Sequence, residues 1–324
     1  MIRLKKIIIS LLISFVVLSF ISFFYYNVPV HSVNADGATD YIWEKQKLYI
    51  RTDDGIGYGK TNNEGYMNEK DYDGKIDILL MGSSHMEAQN IPLNKNVSSI
   101  LNDKFDNLET YNIGVAGHSF KVIISNLDSA LNKYKPKYVV LEASNLLFSD
   151  EYISNILEGN IDNISSSDNK FVVFLQKNPF LRLVYTQLEK FINGDSFQID
   201  EANIENVNFE INKELNDNLL KYINSIANKY NAKVIIMYHP PIAINKQGEM
   251  IINTKKVSKD FSELCKENNI FYLDMSDRFI EEYNKNHIIP KGFINGAIAT
   301  GHLNADGHRM IADKLYELIM EIEQ

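Results

Sequence analysis

The feature that most constrains the fold is an apolar run that ends in glycine and serine, KIDILLMGSSHME at 75–87. Residues 76–81 are almost all apolar, a pattern typical of a strand covered on both faces of a parallel sheet. Gly82 has no Cβ, so the chain can turn sharply there and present Ser84 and His85 beyond the end of the strand. Open α/β sheets bind their ligands at this carboxyl edge. The sequence therefore predicts a buried strand that delivers a serine to a binding site.

Strand and helix patterns alternate along much of the remaining chain. Apolar residues at helical spacing follow the first strand, and short apolar runs follow each helix. We predict helices at 94–105, 122–134, 212–230, 257–268 and after 304, and strands at 109–113, from 138, at 233–238 and at 270–273. Such alternation is typical of α/β folds. We expect a three-layer α/β/α sandwich with a mainly parallel central sheet.

The N-terminal region combines a basic stub at 1–6 with an apolar stretch at 7–26 that only small serines interrupt. About twenty apolar residues are enough to cross a bilayer as a helix. The basic flank predicts a single-pass signal anchor in the cell membrane, with the rest of the chain on the extracytoplasmic side. A cleaved signal peptide is the competing interpretation, because Val33 and Ala35 offer small residues before a cut. The apolar stretch is longer than the roughly 7–15 residues of such peptides, which favours the anchor.

The composition narrows the classes of function. The net charge of −9 over 324 residues argues against nucleic acid binding, because phosphates need a basic face to neutralise them. The single cysteine, Cys265, lies among helix-forming residues and cannot build a disulfide framework or a thiolate metal site. We expect it to be a buried helix residue.

The domain organisation follows from changes in periodicity. Residues 27–74 carry Gly, Asn, Asp and Tyr without a clear period, so we predict an extracytoplasmic tether and irregular lead-in. Within it, Trp43 is expected to pack on the core. The folded domain is predicted at 75–324, with a variable insertion at about 146–215. One interpretation of this insertion is a lid. For its aromatic stripe the alternatives are contact with the membrane, contact with a partner protein, or burial in the core, which is the default interpretation.

Three further segments place polar groups next to predicted elements. The second strand runs into NIGVAGHS at 112–119, the third ends in EASN at 142–145, and HLNADG at 302–307 precedes the last helix. Each segment alone also fits an ordinary turn or helix cap. A phosphate cradle at 112–119 is disfavoured because no G-K-[ST] follows.

Together with Gly82-Ser83-Ser84-His85, these segments resemble the blocks of the SGNH, or GDSL-like, hydrolase superfamily. The resemblance implies that Ser84 is the nucleophile and His302 the base, with His308 inside the last helix. It also implies an oxyanion hole formed by the backbone N–H groups of Ser84 and Gly117 and the side-chain amide of Asn145. No metal or organic cofactor is implied. In the segments that carry the nucleophile and the oxyanion donors, the chain departs from the family pattern at three positions, where Ser83, Ala143 and Leu146 replace Asp, Gly and Asp.

The third member of the triad is the main departure. In the family an acid usually lies three residues before the histidine, a position that Ala299 occupies here. Three interpretations stay open. The enzyme works as a Ser-His dyad helped by a backbone carbonyl, it recruits another carboxylate such as Asp274 or Asp277, or it is inactive.

A tethered, outward-facing member of this family resembles the proteins that pair with membrane-bound O-acyltransferases to esterify cell-envelope polysaccharides. The resemblance implies a serine esterase or O-acyltransferase that handles short acyl groups, acetyl first among them, on envelope glycans. Its implied partners are an ester or glycan substrate, a membrane-bound O-acyltransferase and the cell membrane. The alternative is a catalytically inactive module that binds glycan or scaffolds an acyltransferase.

Overall fold

The structure is a computed structural model that describes residues 2–32, 42–160, 175–193 and 211–324. The predicted cleavage site at Val33 and Ala35 lies outside the described residues. So does much of the predicted insertion, at 161–174 and 194–210.

A five-stranded parallel sheet forms the centre of the fold. Its order is β12-β9-β8-β6-β7, and every neighbouring pair is parallel. The strands are β6 (Ile78–Met81), β7 (Thr110–Asn112), β8 (Tyr138–Ala143), β9 (Lys233–Tyr238) and β12 (Phe271–Asp274). The order places β6, which precedes the predicted nucleophile, between β8 and β7.

Helices cover both faces of this sheet. They are α2 (Ser84–Glu87), α3 (Val97–Lys104), α4 (Phe120–Ser125), α5 (Leu127–Tyr134), α6 (Asp150–Leu157), α8 (Lys213–Lys229), α9 (Lys255–Glu267), α10 (Ser276–Asn286) and α11 (Ala305–Glu323). A short 3-10 turn, Leu93–Lys95, precedes α3. Two short hairpins, β10 (Ala243–Ile244) with β11 (Met250–Ile251) and β13 (Lys291–Gly292) with β14 (Ile298–Leu303), join the later elements.

Successive residues of the central strands point to opposite faces, which creates two apolar cores. Leu79 and Leu141 face a core completed by α4, α5, α6, α8 and α9. Ile78 and Val140 face the other core, which α3, α10 and α11 complete. This arrangement confirms the predicted three-layer sandwich. Cys265 is free and buried in α9, also as predicted.

The segment before β6 is more structured than the sequence predicts. β1 (Tyr26–Asn27), β4 (Leu48–Arg51) and β5 (Gly57–Lys60) form an antiparallel sheet, and β2 (His31–Ser32) pairs with β3 (Ile42–Trp43). Trp43, Tyr49 and Met67 are buried in a cluster of their own. Trp43 is buried, but in this cluster and not in either core of the central sheet. The described part of 27–74 is a packed layer and not a tether. Strands of two to four residues are too short to show a period of two, so the pattern could not reveal them.

The first helix, α1 (Ile2–Tyr25), is long and apolar enough to cross a membrane, and almost all its side chains are exposed. The predicted insertion divides between two surroundings. α6 belongs to the core, because Ile153 and Ile156 are buried beneath it. The helix α7 (Pro179–Asn193) instead packs against α1, so the default assignment to the core is wrong for the described part of the aromatic stripe. The start of the stripe, at 170–174, lies outside the described residues.

Candidate active site

Ser84 is the first residue of α2 and lies directly beyond the carboxyl end of β6. Ser83 caps this one-turn helix, since its Oγ accepts a hydrogen bond from the His85 N–H at 3.3 Å. A Cβ on Gly82 would lie 2.5 Å from Met86 Cβ and 2.8 Å from a Glu142 carboxylate oxygen. Only glycine therefore allows the strand to turn into the helix at this point.

His302 contacts Ser84 although 218 positions separate the two residues. It lies in β14, and its Nε2 is 3.0 Å from Ser84 Oγ. Asn304 fixes the following helix, because its side chain accepts a hydrogen bond from the Gly307 N–H at the start of α11. The predicted pair of hydroxyl and imidazole is thus within hydrogen-bond distance, a geometry suited to proton transfer. His308 is buried inside α11, where burial lowers its pKa to about 3.

A carboxylate that the sequence analysis missed completes the set. Asp54 Oδ2 lies 2.7 Å from His302 Nδ1, although 248 positions separate the two residues. Asp54 comes from the loop between β4 and β5, inside the segment predicted to be a tether. A carboxylate at Nδ1 selects the tautomer whose Nε2 can accept the serine proton. Ser84, His302 and Asp54 therefore have the connectivity of a serine-hydrolase triad.

Neither aspartate predicted for this position contacts His302. Asp274 ends β12, at the edge of the sheet, and accepts hydrogen bonds from Ser258 and from the Ser276 N–H at 2.8 Å. Asp277 is exposed and pairs with Lys255 at 2.8 Å. Asp274 thus caps the start of α10 and Asp277 pairs with a residue of α9, so the prediction is corrected to Asp54.

Two asparagines hold the loop that carries Asp54. Asn90 donates hydrogen bonds from Nδ2 to Asp54 Oδ2 at 2.9 Å and to the Asp54 carbonyl at 2.6 Å. Asn295 accepts from the Gly55 N–H at 3.0 Å and donates to the carbonyls of Thr52 and Gly55, both at 2.9 Å. A Cβ on Gly296 would lie 2.6 Å from Asp54 Oδ1. These contacts fix the carboxylate although no regular element contains it.

The two further residues predicted for the oxyanion hole lie in the loops that follow β7 and β8. Gly117 is exposed, has a φ of +83° and has open space where a Cβ would be. Asn145 is exposed and lines a cleft of about 370 Å³ with Ser83, His118 and the aromatic rings of Phe120, Phe148 and Tyr152. Its Oδ1 accepts a hydrogen bond from the Leu147 N–H at 2.9 Å, and its Nδ2 donates a long hydrogen bond to the Leu147 carbonyl at 3.5 Å. The aromatic rings stack in sequence, with centroid distances of 5.1 and 5.5 Å.

Solved structures that resemble the chain include esterases and lipolytic proteins. A psychrotrophic esterase from a Pseudoalteromonas species is 15% identical over 76% of this chain and 97% of its own, with a TM-score of 0.41. A protein of the G-D-S-L family from Veillonella parvula is 14% identical over 76% and 98%, with a TM-score of 0.41. An acetyl xylan esterase is 16% identical over 75% and 100%, also with a TM-score of 0.41.

The structural neighbours thus include lipolytic proteins of the G-D-S-L family. No protein-family model and no curated protein matches the chain. Because the identities and TM-scores of the neighbours are low, their activities carry no weight for this chain. The chemistry must follow from its own residues.

A buried polar network supports the nucleophile turn from below. Glu142 is fully buried, accepts from the Ser83 N–H at 2.6 Å and contacts His239 Nε2 at 2.7 Å. Glu142 therefore faces the neighbouring turn at Ser83 and not solvent. Burial opposes its charged form, but hydrogen bonds from His239 and Ser83 hold its pKa below the usual value. Burial lowers the pKa of His239, so a neutral imidazole donating to a carboxylate is the consistent state.

His85 lies between this network and the triad. Its ring centroid is 4.5 Å from that of His239 and 5.4 Å from that of His302. Burial and the neighbouring cationic groups keep the pKa of His85 well below its usual value, and its Nδ1 accepts from the Leu303 N–H at 3.3 Å. A neutral His85 packs behind His302 without competing for the Ser84 proton.

Glu87 connects the N-terminal layer to the loop of Gly117. Its buried carboxylate accepts hydrogen bonds from Trp43 Nε1 and from the backbone N–H of Ala116. Burial raises the pKa of Glu87 to about 7. The residue therefore changes charge near neutral pH while it holds the segment next to Gly117.

Proposed function

We propose that the protein is a serine enzyme that cleaves or transfers esters through an acyl-enzyme. The observation that supports this most directly is the chain of contacts from Ser84 Oγ to His302 Nε2, at 3.0 Å, and from His302 Nδ1 to Asp54 Oδ2, at 2.7 Å. An unactivated serine hydroxyl is a weak nucleophile, and an adjacent base oriented by a third group is what activates it. The contacts run in this order, from the Ser84 hydroxyl to the His302 imidazole and from there to the Asp54 carboxylate.

In the proposed mechanism His302 Nε2 takes the Ser84 proton as Oγ forms a bond to the carbonyl carbon of the ester. The carbonyl electron pair moves to oxygen, and the N–H groups of Ser84 and Gly117 and the Asn145 amide stabilise the negative charge. When this intermediate collapses, the ester bond breaks and His302 returns the proton to the leaving alkoxide. Water or a sugar hydroxyl then attacks the acyl-enzyme, with His302 as the base once more.

Asp54 removes the chief objection to activity. Because Ala299 stands at the usual place of the acid, the His302 imidazole needs a carboxylate from elsewhere to orient it. Asp54 contacts His302 Nδ1 and supplies this carboxylate. We therefore favour a complete triad over a Ser-His dyad and over the inactive glycan-binding or scaffold module.

We further propose that the protein acts on short acyl groups of cell-envelope glycans, by hydrolysing their esters or by transferring the acyl group to a sugar hydroxyl; for transfer, a membrane-bound O-acyltransferase is the acyl source. Two features support this assignment. Ser84 and His302 are partly exposed at the sheet edge, which suits a group carried on a large molecule. The apolar helix α1 suits attachment to a membrane, with the catalytic domain on the extracytoplasmic side.

Hydrolysis of p-nitrophenyl acetate by the detergent-solubilised full chain tests the enzyme proposal. We expect Ser84→Ala and His302→Ala each to abolish turnover above background, since either change removes a group that the first step needs. Acetate release measured with and without a glycan acceptor that has free hydroxyl groups, together with the acetyl gained by that glycan, then separates hydrolysis from transfer. Equal rates in the wild type and both variants would instead favour the inactive module.

A further inference from the structure

The helix α7 contacts α1 well inside the apolar part of α1. The Phe180 and Phe15 rings meet edge to face with centroids 6.0 Å apart, and Ser19 and Asn178 side chains exchange hydrogen bonds at 3.1 and 3.3 Å. Phe15 lies ten residues before the end of α1, which is about 15 Å at 1.5 Å per residue. A bilayer has a hydrocarbon core of roughly 30 Å. If α1 crosses a membrane, the start of α7 must then lie within the lipid.

An apolar stripe on α7 faces away from the protein. It consists of Val184, Leu188 and Phe191, which are 40%, 54% and 87% exposed. Their spacing of four and three residues places them on one side of the helix. An almost fully exposed phenylalanine is costly in water. The helix that packs against α7, α1, also has exposed apolar side chains.

Polar contacts also join α7 to the segment that follows α1. The Arg182 guanidinium donates to the carbonyls of Val28 and Pro29, the latter at 3.0 Å, and lies 5.9 Å from the centre of the Tyr26 ring. Arginine and tyrosine are typical of the membrane–water boundary, where the charged group reaches water and the rest of the side chain stays in lipid. The boundary would therefore run near residues 25–29.

The triad is attached to this same boundary. Thr52 Oγ donates to the Tyr25 carbonyl at 2.8 Å, and Arg51 pairs with Tyr26 between β4 and β1. Asp54 follows Thr52 by two residues. The loop that supplies the triad carboxylate is thus bonded directly to the end of α1.

We propose that α7 is a second membrane contact, with the stripe of Val184, Leu188 and Phe191 in the acyl chains of the leaflet on the catalytic side. The two helices then hold Ser84, His302 and Asp54 at the membrane surface, so that esters at this surface reach the site preferentially. The inference rests on the proposed membrane anchor. The membrane contact does not depend on which acyl group the enzyme handles.

Lipid-dependent quenching on the full chain in phosphatidylcholine–phosphatidylglycerol vesicles tests the contact. Cysteine replaces Leu188, Phe191 or Met320, and each variant is labelled with the NBD fluorophore. Met320 is the matched control, being apolar, 38% exposed and on α11. Wild type reports any labelling of Cys265, which is buried. We expect blue-shifted emission at 188 and 191 that spin-labelled lipids quench, with neither effect at 320.

A charge variant provides an independent check. Leu188→Glu combined with Phe191→Glu should abolish the lipid quenching of a label at Val184→Cys, and leave hydrolysis of a soluble ester unchanged. Water-like emission at 191 that lipids do not quench would overturn the inference. Blue-shifted emission without lipid quenching would also overturn it, and would assign the stripe to a second copy or another protein. The quenching also works in Ser84→Ala, so failure of the enzyme proposal is distinguishable from failure of this one.

Discussion

Replacing Asp54 with asparagine tests the part of the site that the sequence did not reveal. The carboxylate lies 2.7 Å from His302 Nδ1, and both side chains are less than one-third exposed, at 28% and 29%. During catalysis the imidazole becomes cationic. At about 4 Å between charge centres and an effective dielectric constant of about 20, the attraction is about 4 kcal/mol. Losing it from the transition state lowers kcat by about a thousandfold.

The Asp54→Asn substitution also changes the tautomer of His302, which lowers kcat further. Asparagine can turn its NH₂ group toward His302 Nδ1, which moves the ring proton to Nε2 and blocks acceptance of the serine proton. We therefore expect kcat for p-nitrophenyl acetate to fall by about a thousandfold, with KM nearly unchanged.

Asp277→Asn is the matched control, because Asp277 is exposed and pairs with Lys255 at 2.8 Å. It should retain the wild-type rate, and thermal melts should show that both variants are folded. An Asp54→Asn enzyme with the wild-type kcat would refute the assignment of Asp54 to the triad. Loss of activity in Asp277→Asn alone would restore one of the original candidates.

Three further predictions concern the supports of the site. Asn90→Ala removes two hydrogen bonds to Asp54 and should lower kcat/KM ten- to a hundredfold, because bonds to charged groups contribute about 1.5–3 kcal/mol; an unchanged kcat/KM would show that Asn90 does not position the carboxylate. Gly82→Ala should lower the free energy of unfolding by about 1–3 kcal/mol through overpacking, which urea titration measures, and an unaltered midpoint would contradict the tight turn. The pKa of the buried Glu87 is about 7 in the folded protein and about 4.5 in the unfolded chain. Proton binding by Glu87 therefore stabilises the fold fully below pH 4.5, and this stabilisation, about 3 kcal/mol, is lost as the pH rises to 7. Melting temperatures of Glu87→Gln should lack this decline, and an equal decline in both proteins would exclude Glu87 as its cause.

The sheet could be predicted from sequence because its strands are buried on both faces and therefore apolar throughout. β9 has the predicted bounds, and β6, β7, β8 and β12 lie within or close to theirs. The helices of the two outer layers carry apolar residues at helical spacing for the same reason. Burial in a large core leaves a continuous pattern in the sequence.

The layer before β6 could not be predicted in this way. Its strands are two to four residues long, and its anchors Trp43, Tyr49 and Met67 are spread along the chain without a period. Asp54 lies in this layer, and its role depends on a contact across 248 positions. Nothing in the local sequence of an aspartate in a glycine-rich turn distinguishes this carboxylate from its neighbour Asp53, which pairs with Arg51.

The burial of Glu142 has no local signal for a related reason. A polar residue near the end of a strand usually faces solvent, and the two groups that hold Glu142 inside the protein, His239 and the Ser83 N–H, lie far from it in the sequence. The motif residues Ser84 and His302 were identifiable because their neighbours, Gly82 and Asn304, set the local turn and helix cap. Polar residues that act through distant partners carry no such local signal.

The most direct test of the central claim is covalent labelling of the full chain with a fluorophosphonate, mapped by mass spectrometry. The label reports a serine hydroxyl that a neighbouring base has activated. We expect the adduct on Ser84 alone, with labelling lost in His302→Ala and slowed in Asp54→Asn. An adduct on a different serine, or equal labelling of Ser84 in all three proteins, would contradict the account.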